Sequence, residues 1–225
     1  MIIGARFHGP PESGNGGYTA GRMAQELAAV AGPTGGTVVT LRAPVPLEKP
    51  LRLEWTKDRL TAYDEEDTVV AEATAEALQV EPVAPVEYAD ALAATERYPG
   101  LEDHPFPSCF VCGPRREPGD GLRIFPGPVG DGRVAAAWEA PDGVDEVTVW
   151  AALDCPGGWS VIAPGRPYVL GRMAARVDAV PTVGARCVIV GALDETEGRK
   201  ARVRTTLYGP DQAVLAGSAA IWIAV

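Results

Sequence analysis

The stretch that decides the fold is Val147-Thr148-Val149-Trp150-Ala151-Ala152-Leu153-Asp154-Cys155-Pro156-Gly157-Gly158-Trp159. Its apolar residues fall on nearly every side of a helix rather than on one stripe, so a helix from about Val147 to Val161 must be surrounded by protein. The segments that follow alternate or run apolar over strand length: Tyr168–Ala179, Ala185–Asp194, Ala201–Tyr208 and Ala213–Ile223. They predict long antiparallel strands, and shorter strands at Gly121–Phe125 and Arg133–Trp138 precede the helix.

Working outward, the same order occurs earlier in the chain. Asn15 to Val30 has helical periodicity, opens on Gly16-Gly17, buries Tyr18, Met23 and Leu27, and stops at the breaker cluster Ala31-Gly32-Pro33. Strand-like segments follow at Thr37–Arg42, Pro50–Lys57, Arg59–Asp64 and Thr68–Val80, the last two joined by the acidic turn Asp64-Glu65-Glu66-Asp67. A Pro-rich stretch, 81–107, reads as a linker. The expected organisation is therefore a first half over 1–80, the linker, and a second half over 108–225. Arg42-Ala43-Pro44-Val45-Pro46 resembles Arg176-Val177-Asp178-Ala179-Val180-Pro181, at an offset of 134 for the Arg (176 − 42) and 135 for the Pro (181 − 46). That likeness points to internal duplication. One helix wrapped by a curved antiparallel sheet is the hotdog arrangement, so the chain reads as an α+β tandem double hotdog; the alternative is a generic α+β domain with unrelated halves.

Composition narrows the function. Of 225 residues, 46% are hydrophobic and 22% charged, which fits an ordinary globular protein. A net charge of −10, with no basic stripe, argues against nucleic acid as a partner. No run reaches the roughly 18 apolar residues of a membrane span, and the first residues do not read as a signal peptide. Four cysteines without such a signal predict reduced thiols and a cytoplasmic protein.

Phe7-His8-Gly9-Pro10-Pro11-Glu12-Ser13-Gly14-Asn15-Gly16-Gly17-Tyr18 resembles the opening of actinobacterial thioesterase-like proteins of the hotdog superfamily. Cys109-Phe110-Val111-Cys112-Gly113-Pro114, followed by Gly121-Leu122-Arg123-Ile124, is similar to the opening of their second half. Ala151-Ala152-Leu153-Asp154-Cys155-Pro156-Gly157-Gly158-Trp159 resembles the central helix of the phenylacetyl-CoA and hydroxybenzoyl-CoA thioesterase group. The resemblance implies a composite site. A Gly-Gly pair at the start of one helix polarises the thioester carbonyl through backbone N–H groups, and a carboxylate lies inside the other helix. Superposing Gly16-Gly17-Tyr18 on Gly157-Gly158-Trp159 requires an offset of 141. Setting Gly16-Gly17 against Glu146-Val147 requires 130, and places Ala24 opposite Asp154. The second agrees better with the strand offset and leaves one site per chain: glycines from the first half, acid from the second.

The candidate catalytic residues are thus Asp154, as base or nucleophile, and Asn15, Gly16 and Gly17 as an oxyanion hole at a helix start. Plainer roles compete, with Asp154 capping the kink at Pro156 and Asn15 a simple N-cap. Tyr18, Trp150 and Trp159 are candidate walls of an acyl tunnel, or core residues. Arg115 and Arg116, with Arg123, are the nearest basic cluster and candidates for holding CoA phosphates. His8 and Glu12 lie just ahead of the first helix. Cys109-x-x-Cys112 invites a zinc reading with His104 and Cys155, but there is no second CxxC, so no metal is expected and the pair is read as shaping a turn with Gly113-Pro114. No phosphate loop, dinucleotide fingerprint or nucleophile elbow is present. The expected function is hydrolysis of an acyl thioester with no cofactor beyond the CoA of the substrate, by a monomer or homodimer. The alternatives are a non-catalytic acyl or aromatic ligand-binding protein, or a hotdog hydratase, against which the lack of an Asp-x-x-x-x-His spacing counts.

Overall fold

A computed structural model describes residues 1–32 and 35–225; Pro33, the last residue of the expected breaker, lies outside them. Helix α1 spans Gly16–Ala31 and ends on Gly32, whose φ of 83° is a conformation that glycine adopts without strain. Strands β1 (Thr37–Leu41), β2 (Arg52–Thr56), β3 (Arg59–Tyr63) and β4 (Val69–Ala75) follow. The expected fourth strand, drawn to Val80, ends at Ala75. After helix α2 (Tyr88–Thr95) come β5 (Gly127–Pro128) and β6 (Val134–Glu139). Helices α3 (Glu146–Ala152) and α4 (Asp154–Trp159) lead into β7 (Tyr168–Val177), β8 (Arg186–Glu197), β9 (Lys200–Tyr208) and β10 (Val214–Ala224).

Among the described residues the ten strands form one sheet in the order β2-β3-β4-β1-β7-β10-β9-β8-β6-β5. Read outward from its middle, β1-β4-β3-β2 mirrors β7-β10-β9-β8, so the molecule is two hotdogs in tandem, joined where β1 pairs antiparallel with β7. In that pairing Val39 faces Met173, its own equivalent at an offset of 134 (173 − 39). The pseudo-two-fold therefore passes through this pair. The helices match at a different offset. Asn15 caps α1 by accepting from the Tyr18 N–H, and Asp145 caps α3 by accepting from the Thr148 N–H, an offset of 130 (145 − 15).

Two sequence expectations are corrected. The expected strand at Gly121–Phe125 is irregular: Leu122 and Ile124 donate to the carbonyls of Phe110 and Val111, but Arg123 takes φ 51° and breaks the ladder. The expected single helix from Val147 to Val161 is two, divided at Leu153. Pro156 has no N–H to give the carbonyl of Ala152, so the helix restarts with the proline inside its first turn, where no such bond is required.

The stretch 81–107 is packed rather than loose. Val83, Val86 and Ala91 join Val188, Val190 and Tyr208 in a second core, while Cys187 and Ile189, on the opposite face of β8, join the main one. This explains the unbroken apolar run in β8, since a strand covered on both faces loses the usual alternation.

Candidate active site

Helices α1 and α3 run antiparallel and close together, because glycine leaves room for it. A Cβ on Gly21 would lie 2.7 Å from Trp150 Cβ, and one on Gly17 would collide with Asp154 Cβ and sit 2.9 Å from the Trp150 carbonyl oxygen. Any side chain at either position would separate the helices. Gly157 and Gly158 do a different job. A Cβ there would meet Thr205 Oγ1 at 2.7 Å and the Trp222 ring at 2.5 Å, so they let α4 settle onto the sheet rather than begin a helix.

The close approach delivers Asp154 to the start of α1. Its Oδ2 accepts from the Gly17 N–H at 2.9 Å and from Asn15 Nδ2 at 3.2 Å. Its side chain makes no capping bond at the start of α4, so the kink-capping role falls away. Oδ1 is buried and has no hydrogen-bond partner among the described residues. Burial raises the carboxyl pKa to about 7; the Gly17 N–H and Asn15 hold it down against that, and the nearby Cys109 sulfur pushes it further up. Asn15 is itself fixed, since its Oδ1 accepts from Tyr18 N–H while its Nδ2 serves the acid.

Asp154 lines a cavity of about 450 Å3 walled by Leu41, Val45, Phe106, Trp159, Ile162 and Leu170, with Asn15 and Gly16 at its polar end. Two further residues of this wall carry buried polar atoms without a partner, Tyr168 Oη and Trp222 Nε1. Buried polar groups are ordinarily satisfied, and three unpartnered ones border this single cavity. Nothing in the sequence singled out Tyr168 or Trp222; each occupies an ordinary inward position of a strand.

The remaining expected site residues lie elsewhere. Gly17 is committed to Asp154 and does not line the cavity, whereas Gly16 does. Trp159 is in the wall, but Trp150 is sealed between the helices at 2% exposure. Tyr18 stacks on Phe7, ring centroids 3.9 Å apart, and lines a separate, more polar cavity beside the start of α3. Arg116 is buried and spends its guanidinium on Ser108 O, Arg6 O and Asp120, and Arg115 is exposed away from the cavity. Among the described residues Arg42 is the one arginine or lysine in the wall, and it is paired with Glu72 at 2.6 Å. His8 and Glu12 do not contribute to the wall, although Gly9, Pro10 and Pro11 between them do.

Three sulfurs also reach this wall. Cys109, Cys112 and Cys155 are buried, with all three Sγ atoms within 4.8 Å of one another. The third comes from α4, far along the chain, which is why a search for a second CxxC does not find it.

No protein-family model matches the chain, and no curated protein matches its sequence. Solved structures do. A protein from Novosphingobium aromaticivorans, provisionally described as a thioesterase, superposes with a TM-score of 0.64 at 14% identity, covering 99% of this chain and 93% of its own. The tesB protein of Mycobacterium avium subspecies paratuberculosis gives 0.61 at 12% identity, covering 96% and 89%. A hot dog-fold protein of unknown function from Alicyclobacillus acidocaldarius gives 0.57 at 14%, covering 98% and 90%. At these identities the shared property is the fold, over essentially the whole chain.

Proposed function

We propose that the protein hydrolyses an acyl thioester bound in the cavity between its two halves, at one site per chain. The observation that carries this reading is the asymmetry of the Asp154 carboxylate: one oxygen is held by two donors from α1, and the other is unpartnered in the wall of an apolar cavity. A structural carboxylate would have both oxygens satisfied. A carboxylate held by one oxygen is oriented and has the other free for chemistry.

In this reading Asp154 Oδ1 takes a proton from water as the water oxygen attacks the thioester carbon. The carbonyl oxygen becomes an oxyanion beside the Gly16 N–H, which opens a helix and has no carbonyl one turn back to bond. When the tetrahedral adduct collapses, the C–S bond breaks and the proton on Asp154 passes to the leaving sulfur. Gly17 and Asn15 are positioning residues, since both act through the acid. The acyl group lies against Leu41, Val45, Trp159 and Leu170, so it is fatty or aromatic. Arg42 alone offers a cation, so the cavity reads the acyl group more than its carrier; a CoA ester is the simplest substrate of this type.

Release of thiol from a panel of aliphatic and aryl acyl-CoAs tests the proposal. Turnover by the wild type that is lost in Asp154→Asn, with the fold intact by circular dichroism, is the expected result. Tight binding of the esters without turnover would replace hydrolysis by the ligand-binding reading. Label recovered in Asp154 after a single turnover in 18O-labelled water would reveal a covalent acyl-Asp154 intermediate that water opens at the Asp154 carboxyl carbon, in place of general-base attack.

A further inference from the structure

Four cysteines are buried, and three of them meet at one point. Cys109 and Cys112 come from the turn that opens the second half, and Cys155 from the first turn of α4. Cys109 Sγ and Cys155 Sγ are 3.9 Å apart. Tetrahedral coordination at a metal–sulfur distance of about 2.3 Å sets sulfurs about 3.8 Å from one another, so this pair already has the spacing of two ligands on one ion. The widest pair, within 4.8 Å, closes by about 1 Å.

Polar hydrogens reach two of the three sulfurs. Trp159 Nε1 donates to Cys112 Sγ at 3.5 Å and Asn15 Nδ2 reaches Cys109 Sγ at 3.7 Å. His104 Nε2 lies 3.3 Å from Cys112 Sγ, while its Nδ1 accepts from the Phe106 N–H at 2.9 Å. With Nδ1 accepting, the neutral ring carries its proton on Nε2 and donates it to the sulfur. His104 is therefore a donor to a ligand rather than a ligand. Three N–H groups directed at two buried sulfurs are the outer shell that a thiolate site requires, and a cluster of plain apolar thiols would need none of them.

We infer that Cys109, Cys112 and Cys155 form a three-thiolate site for a zinc ion, with its fourth position turned toward the acyl cavity. Sulfur-only donors select a soft divalent ion such as zinc over magnesium or calcium. All three cysteines line the cavity, so an ion held by them has one face open to it. On binding, each thiol gives its proton to the buffer and the ion takes the sulfur lone pair; nothing is oxidised or reduced. Asn15 Nδ2 contacts both Cys109 Sγ and Asp154 Oδ2, so the ion and the acid share one orienting side chain. The inference does not depend on hydrolysis, because its readout is metal.

The test is metal content of the full chain, purified reduced and without chelator, followed by cobalt titration of the protein stripped under anaerobic conditions. About one zinc per chain is expected, together with intense visible bands of tetrahedral cobalt and a thiolate-to-cobalt charge-transfer band. Cys112→Ser and Cys155→Ser should lose both signals, and Cys187→Ser, which changes the cysteine outside the cluster, should keep them. Trp159→Phe leaves every ligand in place and should weaken zinc about tenfold. Folded wild type that takes up neither zinc nor cobalt overturns the inference even if the serine variants fail to fold. So does a disulfide between any two of the three cysteines in protein isolated anaerobically, or zinc affinity unchanged in Cys155→Ser.

Discussion

The starts of α1 and α3 are the same place in two copies, and they have parted company. Each helix opens on a side-chain cap, Asn15 in one and Asp145 in the other, and each packs antiparallel on its twin. At α1 the next residues are Gly16 and Gly17, and the facing helix supplies Asp154 against Gly17. At α3 they are Glu146 and Val147, and the residue matching the acid is Ala24. The cavities, each of about 450 Å3, differ accordingly in their walls: apolar at the first, lined by Arg6, Arg22, Gln25 and Asp145 at the second. A cap and a helix crossing are thus not enough to make a site. What distinguishes the two ends is whether glycine lets a carboxylate from the other half come close.

The largest expected effect removes that carboxylate. Asp154→Ala should lower kcat/KM for thioester hydrolysis by about 10^2 to 10^4-fold, the span that a positioned acid–base group supplies. Ala24→Asp in the other half should add no activity and cost several kcal/mol in chemical denaturation, since it buries an unpaired carboxylate at a site 7% exposed. Steady-state kinetics of the pair would show whether the asymmetry is functional.

Next come the glycines. Gly17→Ala and Gly21→Ala should each destabilise by about 1–3 kcal/mol through overpacking. Only the former should also cost hydrolysis at least tenfold, because its Cβ collides with Asp154 whereas Gly21 abuts Trp150 and Val147. Equal losses of activity would mean that helix spacing alone is being read.

Smaller still is the comparison of caps. Asn15→Ala and Asp145→Ala each remove one capping bond, about 1 kcal/mol in a melt. Asn15→Ala should in addition depress kcat, since the acid loses its second donor. The smallest expected change is Tyr168→Phe. Removing an unpartnered hydroxyl should leave stability level or slightly raised while KM rises a few-fold.

Much of this was legible in the sequence because it rests on local pattern. The apolar encirclement of Val147–Leu153 required a wrapping sheet, and the Arg-to-Pro likeness at offset 134 found the register through which the sheet's axis passes. That glycines and an acid share one place was what the family resemblance implied, and aligning the halves at an offset of 130 assigned the glycines to the first and Asp154 to the second. What escaped depends on tertiary partners. Gly16 and Gly17 look equivalent in sequence, yet one lines the cavity and the other is consumed by the acid it positions. Arg116 reads as a free cation and is instead a buried clasp for three backbone and side-chain oxygens. Cys155 was named beside Cys109 and Cys112 in the sequence, but only folding shows that its sulfur, rather than a second CxxC, completes the cluster.

The seam of the sheet carries a last consequence, for the chain as it is made. β1 is complete once residue 41 has left the ribosome, but its neighbour β7 is not finished until residue 177. Throughout that interval the stretch Val38-Val39-Thr40-Leu41 offers one largely apolar edge that β7 has yet to cover. Another nascent copy of the same strand is the best-matched stranger available, since β7 is its relative. The wide separation of these two strands in sequence therefore prolongs the time for which that edge is open to a wrong partner.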